Sequence, residues 1–109
     1  MRADDLQRLR DEVVAEIATL DQSLLSLFEA SRSSNADDEH DPEGSTIGYE
    51  RAQLIAVRDA ARRRLTDLDD ALRRLDDGTY GICEVCGEPS PAERLEARPS
   101  ARTCVGCAA

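Results

Sequence analysis

From Asp5 to about Ser31 the apolar positions keep a heptad beat. Leu6, Val13, Leu20 and Leu27 fall seven residues apart, with Leu9, Ile17 and Leu24 between them, and no Gly or Pro interrupts the run. That spacing gathers the apolar side chains into one helical stripe, with one irregular step near Ile17. The second half repeats the device: Ile47, Leu54, Ala61, Leu68 and Leu75 are spaced by sevens, and Leu65 and Leu72 complete the seam. Asp41-Pro42 is a helix start, since Asp caps free N–H groups and Pro suits the first helical position. Asp76-Asp77-Gly78 is a helix end, with Gly78 as a left-handed C-cap. Each helix of roughly 30 residues would extend about 45–50 Å.

Helices of similar length joined by a loop of about ten residues favour an antiparallel hairpin folded back on itself. The same heptads would allow a long parallel dimer, but the turn chemistry at Pro42 and Gly44 favours the hairpin. Gly44 and Gly48 weaken the first turn of the second helix, so fraying is expected there.

Composition narrows the picture. The chain has 109 residues, 34% of them charged, and its only aromatics are Phe28, Tyr49 and Tyr80. Wide cores lean on aromatics for buried area, so a thin helical structure is expected. The net charge is -9 and every basic residue is Arg. Duplex DNA is a poor partner for such a chain, because phosphate binding needs clustered cations. A basic protein surface or a metal-containing site suits it better. Arg62, Arg63 and Arg64 form the densest basic run, but on a helix they fan around the axis. No apolar run is long enough to span a bilayer, and "MRADDLQRLRDE" is not a signal segment. The expectation is a soluble, cytoplasmic protein.

The last third carries the clearest chemistry. Cys83, Cys86, Cys104 and Cys107 form two C-x2-C pairs separated by residues 87–103. Each pair can bite one zinc ion from a tight turn, and two pairs complete a tetrahedral thiolate shell. Disulfides, a redox C-x-x-C and an iron–sulfur site are the competing readings, and the cytosolic expectation disfavours the first of them. Four thiolates leave no open position, so one structural zinc is expected, supplying folding free energy that so short a segment lacks. Gly87 and Gly106 would let the backbone curl around the sulfurs, with Tyr80 and Leu95 as apolar lids. Between the pairs, Glu93, Arg94, Glu96 and Arg98 suit weak local ion pairs, or else Arg94 and Arg98 contact a partner.

The loop poses the functional question. Asp37, Asp38, Glu39, Asp41 and Glu43 crowd into seven residues. Mutually repelling acids suit a solvated loop, or a tip presented to a partner. An EF-hand is disfavoured because Pro42 stands where that loop needs Gly. His40 reads as a solvated neighbour. There is no Gly-rich phosphate loop and no Ser/His/Asp set, so the chain does not read as an enzyme.

A coiled-coil hairpin with an acidic tip, followed by "GTYGICEVCGEPSPAERLEARPSARTCVGC", resembles the DksA/TraR family of bacterial transcription regulators. The likeness is most specific from Gly78 to Cys107, above all in "RLEARPSARTC". It implies direct binding to RNA polymerase, with the hairpin entering the secondary channel and the zinc end at the rim. It also implies that two tip aspartates in a D-x-x-D arrangement regulate initiation, and Asp38 and Asp41 match that spacing. Glu43 stands where well-known members carry a small residue, a departure that can alter the outcome. Arg98 matches a basic position of the ppGpp site of longer members. Their lysine-bearing C-terminal helix has no counterpart, so ppGpp is a doubtful ligand.

These readings amount to a mainly α fold: residues 1–77 a coiled-coil hairpin with its tip at about 35–45, residues 78–109 a zinc finger with four cysteine ligands. The expected protein is a monomer that regulates polymerase without sequence-specific DNA binding. The competing class is a zinc-stapled coiled-coil module for protein association, whose heptads would be exposed to a partner helix.

Overall fold

The computed structural model describes residues 2–34 and 42–108, with side chains described for 2–32 and 46–108. Two long helices, α1 (Ala3–Ser34) and α2 (Pro42–Asp77), form an antiparallel hairpin. A short helix α3 (Ala92–Ala97) and a 3-10 turn (Val105–Cys107) follow. Among the described residues, no helix is long and apolar enough to cross a membrane.

Local chemistry explains where the helices begin and end. The Arg2 backbone N–H donates to Asp5 Oδ2 at 3.2 Å, and Asp4 and Asp5 place negative charge at the positive end of α1. At the far end of α2, Gly78 takes φ +79°. Its N–H donates to the Leu75 carbonyl at 3.3 Å, and that of Thr79 reaches back to the Arg74 carbonyl at 2.9 Å. This is the Schellman pattern, which satisfies carbonyls that the helix leaves without partners. The left-handed cap expected at Gly78 is therefore present.

The chain divides into two compact units. One comprises residues 1–12 and 64–109, the other residues 13–63, so α1 and α2 each contribute to both. In the first unit, Leu6, Leu68, Ala71, Cys83 and Leu95 are buried. Arg10 Nε donates to Asp69 Oδ1 at 2.5 Å across the two helices. In the second, Val13, Leu24 and Ala61 are buried, and Arg58 on α2 pairs with Asp21 on α1 at 3.5 Å. Phe28 on α1 also receives the Arg51 guanidinium of α2, 5.4 Å above its ring. In the second unit rising numbers on α1 (Asp21, Phe28) meet falling numbers on α2 (Arg58, Arg51), which is the antiparallel order.

The seam is narrow, as the composition implies. Leu9, Ile17, Leu20, Leu27, Ile47, Leu54, Leu65, Leu72 and Leu75 are half-buried rather than enclosed. Two helices cover only one stripe of each other, and the flanks stay in water. Ala61 and Ala71 are fully buried; Ala61 stands at a heptad position of the seam, where a small side chain lets facing helices close over larger ones.

Candidate metal centre

The cysteines converge because two tight turns point at one another. In the first, Cys83 N–H donates to the Glu88 carbonyl and Gly87 N–H to the Cys83 carbonyl, both at 2.9 Å. Gly87 takes φ +75°, so it supplies the left-handed step that this turn requires. In the second, Cys107 N–H donates to the Cys104 carbonyl at 3.1 Å across the 3-10 turn. Gly106 lies inside that turn and takes no positive φ, so the curl there is made by 3-10 backbone. Gly81, which sequence reasoning did not single out, takes φ +81° and lies where an added Cβ would come 3.3 Å from Leu95 Cδ1.

The four sulfurs all lie within 4.8 Å of one another. Cys86 Sγ and Cys104 Sγ are 3.8 Å apart. A tetrahedron with zinc–sulfur bonds of about 2.3 Å has edges of about 3.8 Å, so the spacing fits a thiolate-bound zinc. The donor set is all sulfur, with no fifth ligand among the clustered groups, which suits a structural ion.

Backbone N–H groups of Cys86 and then Cys104 aim at the Cys83 sulfur and hold its thiol down to about 6, from an ordinary 9.0. Cys107 is pushed up to about 12, first by the Cys104 thiol and then by Cys83 and Cys86, because crowded sulfurs resist further negative charge. Zinc has to displace the proton from Cys107 at neutral pH, so zinc binding is opposed by falling pH.

Around the sulfurs, side chains grip backbone. Tyr80 is half-buried; its hydroxyl donates to the Pro99 carbonyl at 2.8 Å, and the Arg74 guanidinium lies 5.9 Å from its ring. Burial raises the Tyr80 phenol above 10.0, partly opposed by Arg74. Leu95 is buried, in keeping with the apolar role expected of it. Arg94 Nε donates to the Thr103 carbonyl at 3.3 Å, just before Cys104. The expected local ion pairs do not form: among the described residues none joins Glu93, Arg94, Glu96 and Arg98. Arg98 is exposed.

A second feature escaped sequence reasoning. Asp70 on α2 receives Arg73, Arg74 and Arg102 on its carboxylate. The Arg73 hydrogen bond, with the charges of Arg102 and Arg74, holds that carboxyl below 3.8 despite its burial. The i,i+3 and i,i+4 partners are visible in the sequence, but Arg102 is not. Asp38 and Asp41 lie outside the described residues, as do Asp37, Glu39 and His40. Glu43 falls in the first turn of α2, and its side chain is outside the described set.

A helical hairpin with a C-terminal four-thiolate finger defines a C4-type zinc-finger protein. The prokaryotic dksA/traR C4-type zinc finger matches residues 78–109. An uncharacterized protein of Aquifex aeolicus is 30% identical over 111 residues, covering 99% of this chain and 77% of its own. The RNA polymerase-binding transcription factor DksA of Caulobacter vibrioides is 50% identical over 52 residues, or 48% of this chain. The match covers 37% of that factor, and 29% of the YteA protein of Bacillus subtilis, so the chain spans about a third of these relatives. The transcription factor DksA2 of Pseudomonas aeruginosa has a similar structure, with TM-score 0.57 and 25% identity over 93% of this chain and 78% of that one. The chain belongs to the DksA/TraR family, and its finger holds one structural zinc.

Proposed function

We propose that this chain is a transcription regulator that binds RNA polymerase directly and places its acidic hairpin loop in the secondary channel. The observation that carries the reading is its likeness to the transcription factor DksA2 over 93% of its length. The polymerase-binding name of the Caulobacter relative supplies the partner. Cys83, Cys86, Cys104 and Cys107 are the zinc ligands, and Asp38 and Asp41 are the regulatory contacts, with Glu43 beside them. Carboxylates in a confined polar channel act with less solvent screening than at an open surface. There they can pair with basic polymerase groups or perturb magnesium, which prefers oxygen ligands. Arg98 is the remaining rim candidate, because Arg94 is already engaged with the Thr103 carbonyl. The chain acts as a monomer on polymerase rather than as a sequence-specific DNA binder. With cytoplasmic polymerase as its partner, it works in the cytoplasm and assists another enzyme's site rather than catalysing.

The test is the double variant Asp38→Asn, Asp41→Asn in the zinc-loaded chain. It should bind cognate polymerase as the parent does, yet lose the effect on open-complex lifetime. A photocrosslinker at position 38 of the parent chain should label the bridge helix or trigger loop. Normal regulation by the double variant would refute the tip assignment. Absence of polymerase binding by the parent would favour the association module.

A further inference from the structure

The metal centre is joined to α2 by a network outside the sulfur shell. The Asp70 side chain is 13% exposed, and its Oδ2 accepts Arg102 at 2.8 Å and Arg74 Nε at 3.1 Å. Its Oδ1 accepts Arg73. Arg74 continues past the carboxylate: its two terminal nitrogens donate to the Ala101 and Ser100 carbonyls, each at 3.3 Å. Segment 100–102, which leads into Cys104, is therefore held on α2 at three points.

The same segment is tied to the other cysteine pair. Glu84, between Cys83 and Cys86, donates its backbone N–H to the Arg102 carbonyl at 2.9 Å. Its carboxylate lies 3.9 Å from the Arg102 guanidinium. Arg102 thus connects the first cysteine turn, the lead-in to the second, and the helix. An open cleft of about 470 Å³ flanks the network, lined in part by Asp70, Arg74, Cys83, Glu84 and Arg102. With solvent on that side, charge and hydrogen bonding rather than apolar packing hold Arg102 in place.

We propose that Asp70 is a positioning residue for the metal centre: acting through Arg102, it holds the two cysteine pairs at ligating distance and raises zinc affinity. Folding of the finger around the ion must bring the two pairs together, and bonds that form only in that arrangement add to the free energy of zinc binding. Partners beyond the ligands commonly govern metal affinity in this way. Without Asp70, three guanidinium groups would face one another with no carboxylate between them, and segment 100–102 would loosen.

This proposal rests on the zinc assignment and is independent of polymerase. The test is chelator competition for zinc on the full chain. Asp70→Asn should bind zinc about 10-fold more weakly or worse, in the range seen for outer partners of metal ligands. Arg102→Gln should show a similar loss, and the double variant little more than the worse single. Asp70→Glu should recover part of it. Asp69→Asn is the control: Asp69 pairs with Arg10 on α1, so its loss should leave zinc affinity unchanged. If Asp70→Asn fails to form helix by circular dichroism, Arg102→Gln decides alone, since its side chain lies on the finger. Affinity within about twofold of the parent, or an equal loss in Asp69→Asn, would overturn the proposal. A parent chain that binds no zinc would overturn the metal assignment itself.

Discussion

Cys83→Ser should abolish zinc binding and unfold the finger while leaving the long helices formed. Cys83 is 2% exposed and is buried beside a segment with little else to hold it together. From residue 78 onward, Leu95 is the other buried apolar side chain among the described residues. A serine hydroxyl stays neutral at physiological pH and is a poor zinc ligand, and three thiolates leave a water-accessible position on the ion. Structural zinc supplies an apparent binding free energy of about 10–16 kcal/mol in zinc-finger peptides, which so small a core cannot replace. Zinc content by mass spectrometry should fall to zero, and trypsin should cut rapidly after Arg94 and Arg102. Far-UV circular dichroism should keep most of its helical signal, because α1 and α2 account for most of the helical residues. Slow proteolysis of the finger in this variant would show that its fold does not depend on the metal.

Adjacent leucines on α1 should behave oppositely. Leu24 is 5% exposed and Leu25 is 63% exposed. Leu24→Ala removes buried methyl groups and leaves a cavity, a change that typically costs about 2–5 kcal/mol. Leu25→Ala removes groups that already face water and should shift stability by less than about 0.5 kcal/mol. Urea unfolding followed by helical signal gives both numbers. A thin seam has little reserve, so the first change should move the midpoint visibly. The comparison also bears on function: a severe effect at Leu25 would mean that the exposed flank is covered in solution by a second chain. That is what the association-module reading requires.

Much of this arrangement could be read from residue spacing, because spacing is what local structure responds to. Heptads report a helix face, and the narrow seam follows from two stripes with few aromatics. Gly78 after Asp76-Asp77 reports a left-handed cap, which the two bonds to Leu75 and Arg74 complete. The C-x2-C pairs report a chelate because each turn is local and the metal needs both. What escaped the sequence depends on contacts between distant residues. Gly81 needs its left-handed backbone in a place where Leu95 passes close by, and nothing in its neighbours signals that. Arg94 looked like a member of a surface charge pattern, yet it is engaged with a carbonyl. Arg102 carries no periodic or capping mark that would pair it with Asp70. Gly106 lies within the second cysteine turn, whose 3-10 backbone needs no positive φ.

The cross-helix pairs Arg10–Asp69 and Asp21–Arg58 have a consequence for how such chains can vary. Each pair joins a residue on the outgoing helix to one on the returning helix, so neither arm of the hairpin can change length alone. Deleting one residue from α1 would rotate its remaining apolar positions by about 100° relative to α2. Tolerated insertions and deletions should therefore arrive as matched events, near one heptad in each helix and placed symmetrically about the loop. Homologues of different length should differ by paired heptads in their helices, while the distance from the Gly78 cap to the first cysteine stays fixed.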